Sequence, residues 1–273
     1  MPLPGVFFAA KKDGTTYYRS SITYLNQHIS LGSYDNEQLA HQAYKIANEL
    51  LHKKHKHKTA SEIPHIEQYH VLATVLSFDK WIMLLNLRDN GIYCRNPIYL
   101  LKKYFLYYVN ETTVLKFDTD DLFYYMKHRI MQRGGHLFVS DYGMQINILS
   151  RYGIKNFAVP GRDYRFVNGD PTDFRYRNIQ IINRYHGVTK SILKGREIFT
   201  AKIHINGDYI IGRYTTEIEA AIAYNKAATI MNEKGFKKKF PKNYIETIDE
   251  ITYAKLYSSI RLSKKIRDFP CLL

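Results

Sequence analysis

From Phe199 to Ile205 the chain alternates. Phe199, Ala201, Ile203 and Ile205 are apolar, and Thr200, Lys202 and His204 between them are polar. A period of two predicts a strand with one buried and one open face. Asn206-Gly207 predicts the hairpin turn after it. Tyr209, Ile210 and Ile211 predict a further strand, which Gly212 interrupts as a bulge or a close helix approach would require. The period then changes. Thr216 with Glu219 three residues on is a capping box, and Ala220, Ala223, Tyr224, Ala227 and Met231 recur at helical spacing. Gly187 to Tyr244 therefore reads as one small module of three strands and a helix. Its mostly alanine helix face predicts close seating on the sheet, which leaves the face bearing Thr200, Lys202 and His204 open.

The same pattern stands at the start of the chain. Gly5-Val6 matches Gly187-Val188, and Ile22 and Tyr24 stand where Ile203 and Ile205 stand. From Gly32 onward the offset is a constant 180: Gly32 with Gly212, Tyr34 with Tyr214, Ala40 with Ala220, Ala43-Tyr44 with Ala223-Tyr224, Ala47 with Ala227. Asp35 with Gln38 replaces the second copy's capping box, and the register shifts fall in predicted turns. A duplicated module follows.

Between the copies the pattern is less regular. His52 to Lys58, HKKHKHK, is a cationic run whose His spacing suits a metal but whose four lysines oppose one; it reads as a basic helix end running into a linker, with Pro64 as the boundary. Ser77 caps a predicted helix that stops before Gly91, and Pro97 opens an aromatic run to Val109 of open secondary structure. Thr119 to Gly135 predicts a helix capped at Thr119, favoured by Asp120 and Asp121 in its first turn and stopped by Gly134-Gly135. Asp121 and His128, two turns apart, would share its face; capping accounts for Asp121 and packing beside Tyr124 and Tyr125 for His128 without acid–base chemistry. Met144 to Tyr152 predicts a shorter helix. Asp163 to Asn183 reads as a strand, a turn centred on Asn168-Gly169-Asp170-Pro171, and a second strand, and Tyr253 to Leu273 as an amphipathic helix that packs on the body or on a second subunit.

Composition changes this picture in two respects. A hydrophobic content of 45% with 24 Tyr and 14 Phe is that of a folded chain. No apolar run nears the ~20 residues of a membrane span, MPLPGVFFAA lacks the basic flank of a secretion signal, and two distant cysteines, Cys94 and Cys271, make neither a disulfide framework nor a thiolate metal site. A reducing, cytoplasmic setting is expected. The second respect is charge. Of the formal +15, residues 187–244 carry 11 Lys or Arg against 5 Asp or Glu, and residues 1–58 carry 8 against 4. Basic charge concentrated in a duplicated sheet module points to a polyanion as partner.

Residues 187–244 resemble the Apetala/ethylene-response-factor DNA-binding domain, which also occurs in phage and bacterial homing endonucleases. The resemblance rests on the Gly-Val start, the Ile-Gly before an aromatic, the helix segment Ala220-Ala221-Ile222-Ala223-Tyr224 and the closing Phe240-Pro241. Residues 5–51 are similar to a more divergent copy. Residues 163–183 resemble the core of an HNH nuclease, whose Asp-His-Ile-Asn-Gly-Asp stretch corresponds to Arg165-Phe166-Val167-Asn168-Gly169-Asp170. The resemblance implies an α+β protein in which two modules, each a three-stranded antiparallel sheet plus a helix, flank a mixed α/β HNH-like domain. The divisions expected are 1–58, 59–186, 187–244 and a helical tail over 245–273.

The resemblance also implies double-stranded DNA as partner, entered by the sheets through the major groove. The implied contact set is Lys11, Lys12, Arg19, Ser21, Thr23, His28 and Ser30 in the first copy. In the second it is Thr189, Lys190, Thr200, Lys202, His204, Arg213, Lys237, Lys238 and Lys239. Phe7 and Ile210 occupy further positions that meet bases in the plant domains. Lys11, Lys12, Lys237, Lys238, Lys239 and Lys242 suit phosphates, which position without specifying; Lys and hydroxyl side chains on the sheet suit base edges.

In the nuclease family the residue aligned with Arg165 binds the metal and the one aligned with Phe166 is the His that activates water. A guanidinium repels a divalent cation and a phenyl ring accepts no proton. Arg165, Phe166, Asn168, Asp170 and Asn178 thus read as a structural remnant, with Asn178 bracing the turn and no catalytic residue, metal or cofactor expected. The reading is a bacterial or phage sequence-specific DNA-binding protein, nucleoid-associated and a transcriptional regulator derived from a homing endonuclease. Two alternatives are an HNH-type endonuclease with migrated ligands, drawn from Asp163, Asp170, Asp173 and His186, and a non-specific DNA-coating protein that forms a homo-oligomer.

Overall fold

The computed structural model describes residues 3–52, 69–70 and 75–270. The chain divides into two compact units: Met1–Ile148 with Asp170–Asn178, and Leu149–Gly169 with Ile179–Leu273. Most of the predicted linker, residues 53–58 and Pro64, lies outside the described residues.

The first unit opens with the antiparallel sheet β1 (Val6–Ala10), β2 (Thr16–Tyr24) and β3 (Gln27–Tyr34), followed by helix α1 (Glu37–His52). The side chain of Asn36 accepts from the Leu39 amide at 2.8 Å. The cap is therefore Asn36, one residue later than the expected Asp35, and it matches Thr216 at the constant offset. Ala40, Ala43 and Ala47 are fully buried, as small residues must be where a helix lies flat on a sheet. The core does not stop at the module: Ile22, Ile29, Leu31, Leu50 and Leu51 continue into Leu76, Phe78, Trp81, Ile82 and Leu85. The last four lie on helix α2 (Phe78–Asn90), whose Ser77 hydroxyl accepts from Lys80 N at 3.3 Å and which ends at Gly91.

The aromatic run after Pro97 forms the sheet of β4 (Ile98–Leu100), β5 (Tyr104–Tyr108) and β6 (Val114–Asp118). Two helical expectations in this region fail. Between Thr119 and Gly135 only a 3-10 turn, Thr119–Asp121, and a short helix, α3 (Leu122–Lys127), form. Asp118, not Thr119, precedes them, and its carboxylate is taken by the Tyr176 amide at 2.7 Å instead of capping. Ile130 then pairs with Val139 and Met131 with Phe138, so β7 (Ile130–Arg133) runs to a tight Gly134-Gly135 turn and returns as β8 (His136–Asp141). The second failure is Met144 to Tyr152. Met144–Asn147 is β9, paired on β8, and Ile148–Tyr152 is a 3-10 turn. Both stretches are short, and the cross-strand pairing that makes them strands cannot be read from local periodicity.

The second unit contains the hairpin β10 (Tyr164–Phe166) and β11 (Ile179–Ile181), then the sheet β12 (Val188–Leu193), β13 (Arg196–His204) and β14 (Asp208–Tyr214), and helix α4 (Glu217–Glu233). Thr216 and Glu219 make the complete capping box. The tail is two helices, α5 (Glu250–Ser259) and α6 (Lys264–Arg267), broken at Ile260 to Ser263. Ile260, Leu262 and Ile266 are buried in the module's core beside Ala221, Ala228 and Met231, so the tail packs on the body. Lys226 of α4 and Lys234 at its C-cap fasten it. Lys226 Nζ donates to the carbonyls of Tyr257 at 2.6 Å and Ile260 at 2.9 Å, and Lys234 Nζ to those of Arg267 at 2.9 Å and Phe269. These carbonyls at helix ends have no partner within their own helix, and a cation is the best donor for them. No helix among the described residues is long and apolar enough to cross a membrane.

Candidate nucleic-acid interface

Each copy builds its sheet with the same two devices. The first is a lock between a glycine and a helix tyrosine. Gly5 and Gly187 have φ of +76° and +72°, and a Cβ on either would lie 2.1 or 2.3 Å from the ring of Tyr44 or Tyr224. Only glycine combines that backbone with that contact. Their carbonyls accept from Ser21 N at 3.0 Å and Lys202 N at 2.7 Å. The second device is a bulge. Ser20 pairs with Gly32 but Ser21 with Ser30; Ala201 pairs with Gly212 but Lys202 with Ile210. The extra residues, Leu31 and Ile211, turn inward and are buried, and the rings of Tyr34 and Tyr214 cover the glycine that follows each. Gly212 therefore answers a tyrosine ring within its own strand.

These devices leave the face away from the helix open. In the second copy, Ala201 and Ile203 are buried while Lys202 and His204 are exposed. Across the sheet, Thr189, Thr200 and Arg213 form one rung, Lys202 and Ile210 the next, and His204 and Asp208 the last, with His204 Nδ1 2.7 Å from Asp208 Oδ1. Lys190 does not join them. It stands opposite Phe199 on the other face, its ammonium is 2.5 Å from Glu197, and its amide donates to Asn183. Among the described residues the ion pairs of this module are those two, so Lys202 and Arg213 have no acidic partner. Lys237, Lys238 and Lys239 are exposed, and Lys238 Nζ donates to the His204 carbonyl at 2.8 Å.

In the first copy the equivalent rungs are Phe7, Arg19 and Ser33; Ser21 and Ser30; and Thr23 and His28. Arg19, Thr23, His28 and Ser30 are exposed, as are Lys11 and Lys12 in the turn between β1 and β2. Ser21 is not: it keeps 8% of its surface and is the poorest-placed of the expected contacts. Tyr17, two residues before Arg19 and so on the same face, accepts from its Nε at 3.2 Å and its Nη2 at 2.7 Å. Tyr17 was absent from the sequence-derived set, although strand spacing alone puts it beside Arg19.

The stretch from Arg165 to Asn178 is divided between the units. Arg165 and Phe166 lie on β10 in the second unit, with Arg165 Nε donating to Gln180 on β11 at 2.8 Å. Asp170, Asp173 and Asn178 belong to the first unit. Asn178 Nδ2 donates to the Asp173 carbonyl at 2.8 Å, and residue 173 bridges in parallel to Lys116. Asn168, before Gly169 in the turn, is exposed.

Each side chain considered as a migrated metal ligand is engaged. Asp173 pairs with Arg175 at 2.5 Å. Burial works against the charge of Asp170, but the Thr172 hydroxyl, the Lys116 ammonium at 2.9 Å and the Thr172 amide outweigh it and hold the carboxyl at about 2. Asp163 is buried too, and Arg162, the Val159 amide and Asn183 together keep it below the usual carboxylate range. His186 sits between Phe157 and Tyr224, at ring distances of 4.6 and 5.1 Å; burial there, with the charge of Arg162, lowers its pKa. His128 likewise stacks on Tyr124, bonds the Tyr124 carbonyl through Nδ1 at 2.9 Å, and has Asp141 rather than Asp121 as its acidic neighbour, at 3.6 Å. Among the described residues no three His, Cys, Asp or Glu side chains gather around a common point suited to a cation.

No protein-family model, no curated protein and no solved structure matches the chain.

Proposed function

We propose that the chain binds double-stranded DNA sequence-specifically through its two open sheet faces and acts as a transcriptional regulator. The observation that carries this reading is the repeated outward face: twice, a glycine–tyrosine lock and a bulge hold one side of a sheet against a helix and leave the other side open. A three-stranded sheet with exposed hydroxyl, imidazole, guanidinium and ammonium groups has the width and donors for a major groove. Lys202, Arg213 and the exposed Lys237 to Lys239 supply charge for phosphates. Two modules on one chain raise each other's effective concentration, so two short readings add to one long site. With ~4 phosphates neutralised by each, affinity falls with salt at a log-log slope of about −7. Engagement of Asp163, Asp170, Asp173 and His186 by cations, amides and rings favours binding without cleavage over the endonuclease reading.

Random-sequence selection on duplex DNA, run in EDTA and again in magnesium with product lengths checked on a gel, tests the reading. A two-part motif recovered intact in both conditions is the expected result. Cleavage in magnesium alone restores the nuclease, and equal retention of every sequence leaves a general DNA-coating protein.

A further inference from the structure

The equivalent rungs of the two sheets hold different chemistry, and the first copy's is the more specific. Phe7 stands directly across β1 and β2 from Arg19, on the outward face, and keeps 56% of its surface exposed. An exposed phenyl on the edge strand of an open face contributes nothing to the core. Arg19 beside it is already oriented. Its Nε and Nη2 donate side-on to the Tyr17 hydroxyl, and its guanidinium carbon lies 5.4 Å from the centre of the Tyr17 ring. Of the five guanidinium N–H groups two are used, and the end-on pair, one on each Nη, is left. That pair matches guanine O6 and N7, and orientation in the free protein reduces the ordering cost of making the contact. An apolar group held next to a guanine-reading fork meets the one apolar feature of the major groove, the C5-methyl of a pyrimidine.

We infer that the rung of Phe7 and Arg19 reads a two-base step, a pyrimidine carrying a C5-methyl group followed by guanine, with Tyr17 as the positioning residue that aims the guanidinium. The second copy lacks this device, since its rung is Thr189, Thr200 and Arg213. The inference rests on the DNA-binding reading and assigns the first module its base preference.

The test uses the full chain and a duplex drawn from the selection described above. The thymine before guanine is replaced by deoxyuridine, which removes only the methyl, and separately by 5-methylcytosine, which restores it on the other pyrimidine. Wild-type protein loses about fourfold in affinity with deoxyuridine, the value of one buried methyl group, and keeps its affinity with 5-methylcytosine better than with cytosine. Phe7→Ser no longer separates thymine from deoxyuridine or 5-methylcytosine from cytosine. Tyr17→Phe, with thermal melting as a check on folding, loses about tenfold of its preference for guanine over adenine at the adjacent base. Selected sites without a pyrimidine–guanine step, or a wild-type protein indifferent to the methyl, overturn the inference while the DNA-binding reading stands. Failure to retain any duplex overturns both.

Discussion

The two sheet modules agree wherever the fold constrains a residue and differ wherever it does not. Both have a left-handed glycine under a helix tyrosine, both bulge at the residue before the next glycine, and both seat alanines on the sheet. Their covers are unrelated. The first module shares its core with α2, through Trp81 and Leu85, whereas the second is covered by the tail helices that Lys226 and Lys234 fasten. Their open faces differ as well: Phe7 and Arg19 in one stand where Thr189 and Thr200 stand in the other, and Ser21 stands where Lys202 does. A duplicated scaffold thus keeps its backbone chemistry while its two outer surfaces differ, the helix side in what packs on it and the sheet side in what it exposes.

The largest test of that comparison is at the shared lock. Gly187→Ala meets both the Tyr224 ring and the Lys202 carbonyl, 2.5 Å from the new Cβ, while the closest contacts of Gly5→Ala are all with the Tyr44 side chain. Left-handed strain plus overpacking predicts a loss of about 3–5 kcal/mol for Gly187→Ala and about 2–3 for Gly5→Ala. Denaturant unfolding followed by hydrogen exchange in each module measures both, and equal losses would show that the two locks are the same.

A smaller effect separates the covers. Asn225 is buried and exchanges hydrogen bonds with the backbone of Asn243, at 2.7 and 2.8 Å, and its Nδ2 also donates to the Tyr253 hydroxyl at 3.1 Å. Asn225→Ala is expected to cost about 2–3 kcal/mol, because the Asn243 amide loses its partner. At the matching position of the first copy Lys45 is exposed, and Lys45→Ala should stay within about 0.5 kcal/mol. Thermal melting of the two variants settles the contrast.

The tyrosine of the second lock adds a pH dependence. Burial raises Tyr224 to about 12 from an ordinary value of 10.0. The fold favours its neutral form, so this stability is complete below pH 10 and is lost as pH rises from 10 through about 12. Tyr224→Phe, which cannot ionise, is expected to retain about 2 kcal/mol at pH 12 that the wild type loses. An unchanged alkaline unfolding curve would remove Tyr224 from the account.

The smallest effect separates the open faces. Lys202→Gln should lower the magnitude of the salt slope of duplex binding by about 1. Ser21→Ala, at the matching bulge position and nearly buried, should leave it unchanged. Binding titrations across a range of salt concentrations measure both, and equal slopes would erase the distinction between the cationic and the neutral bulge position.

Much of the second module was readable because its signals are local. The alternation from Phe199 to His204, the Thr216–Glu219 box and the alanine spacing each act within a few residues, and the constant offset then carries the assignment to the first copy. Strands β7 and β9 were misread as helix for the opposite reason. Ile130 and Met144 become strand only through partners on β8, and residues 119–135 and 144–152 show no period strong enough to announce it. On the open faces, residue types and spacing named Lys202 and His204, and the resemblance added Arg19, Lys190 and Ser21. They could not separate Lys190, which turns to Glu197, or Ser21, which the bulge nearly buries.

What the amino-acid sequence determined by itself is the repeat, the second copy's capping box, the turns between its strands, and the concentration of basic charge in the repeated modules. All of these depend on residues close in the chain or on their sum. What only the tertiary structure decided is the use made of them: which glycine lies under which tyrosine, which lysines cap distant carbonyls, and which carboxylates are already engaged. It also decided that Tyr17 aims Arg19 beside Phe7. Those outcomes depend on side chains that meet across strands and helices, where a shift of one residue exchanges the inner face of a sheet for the outer.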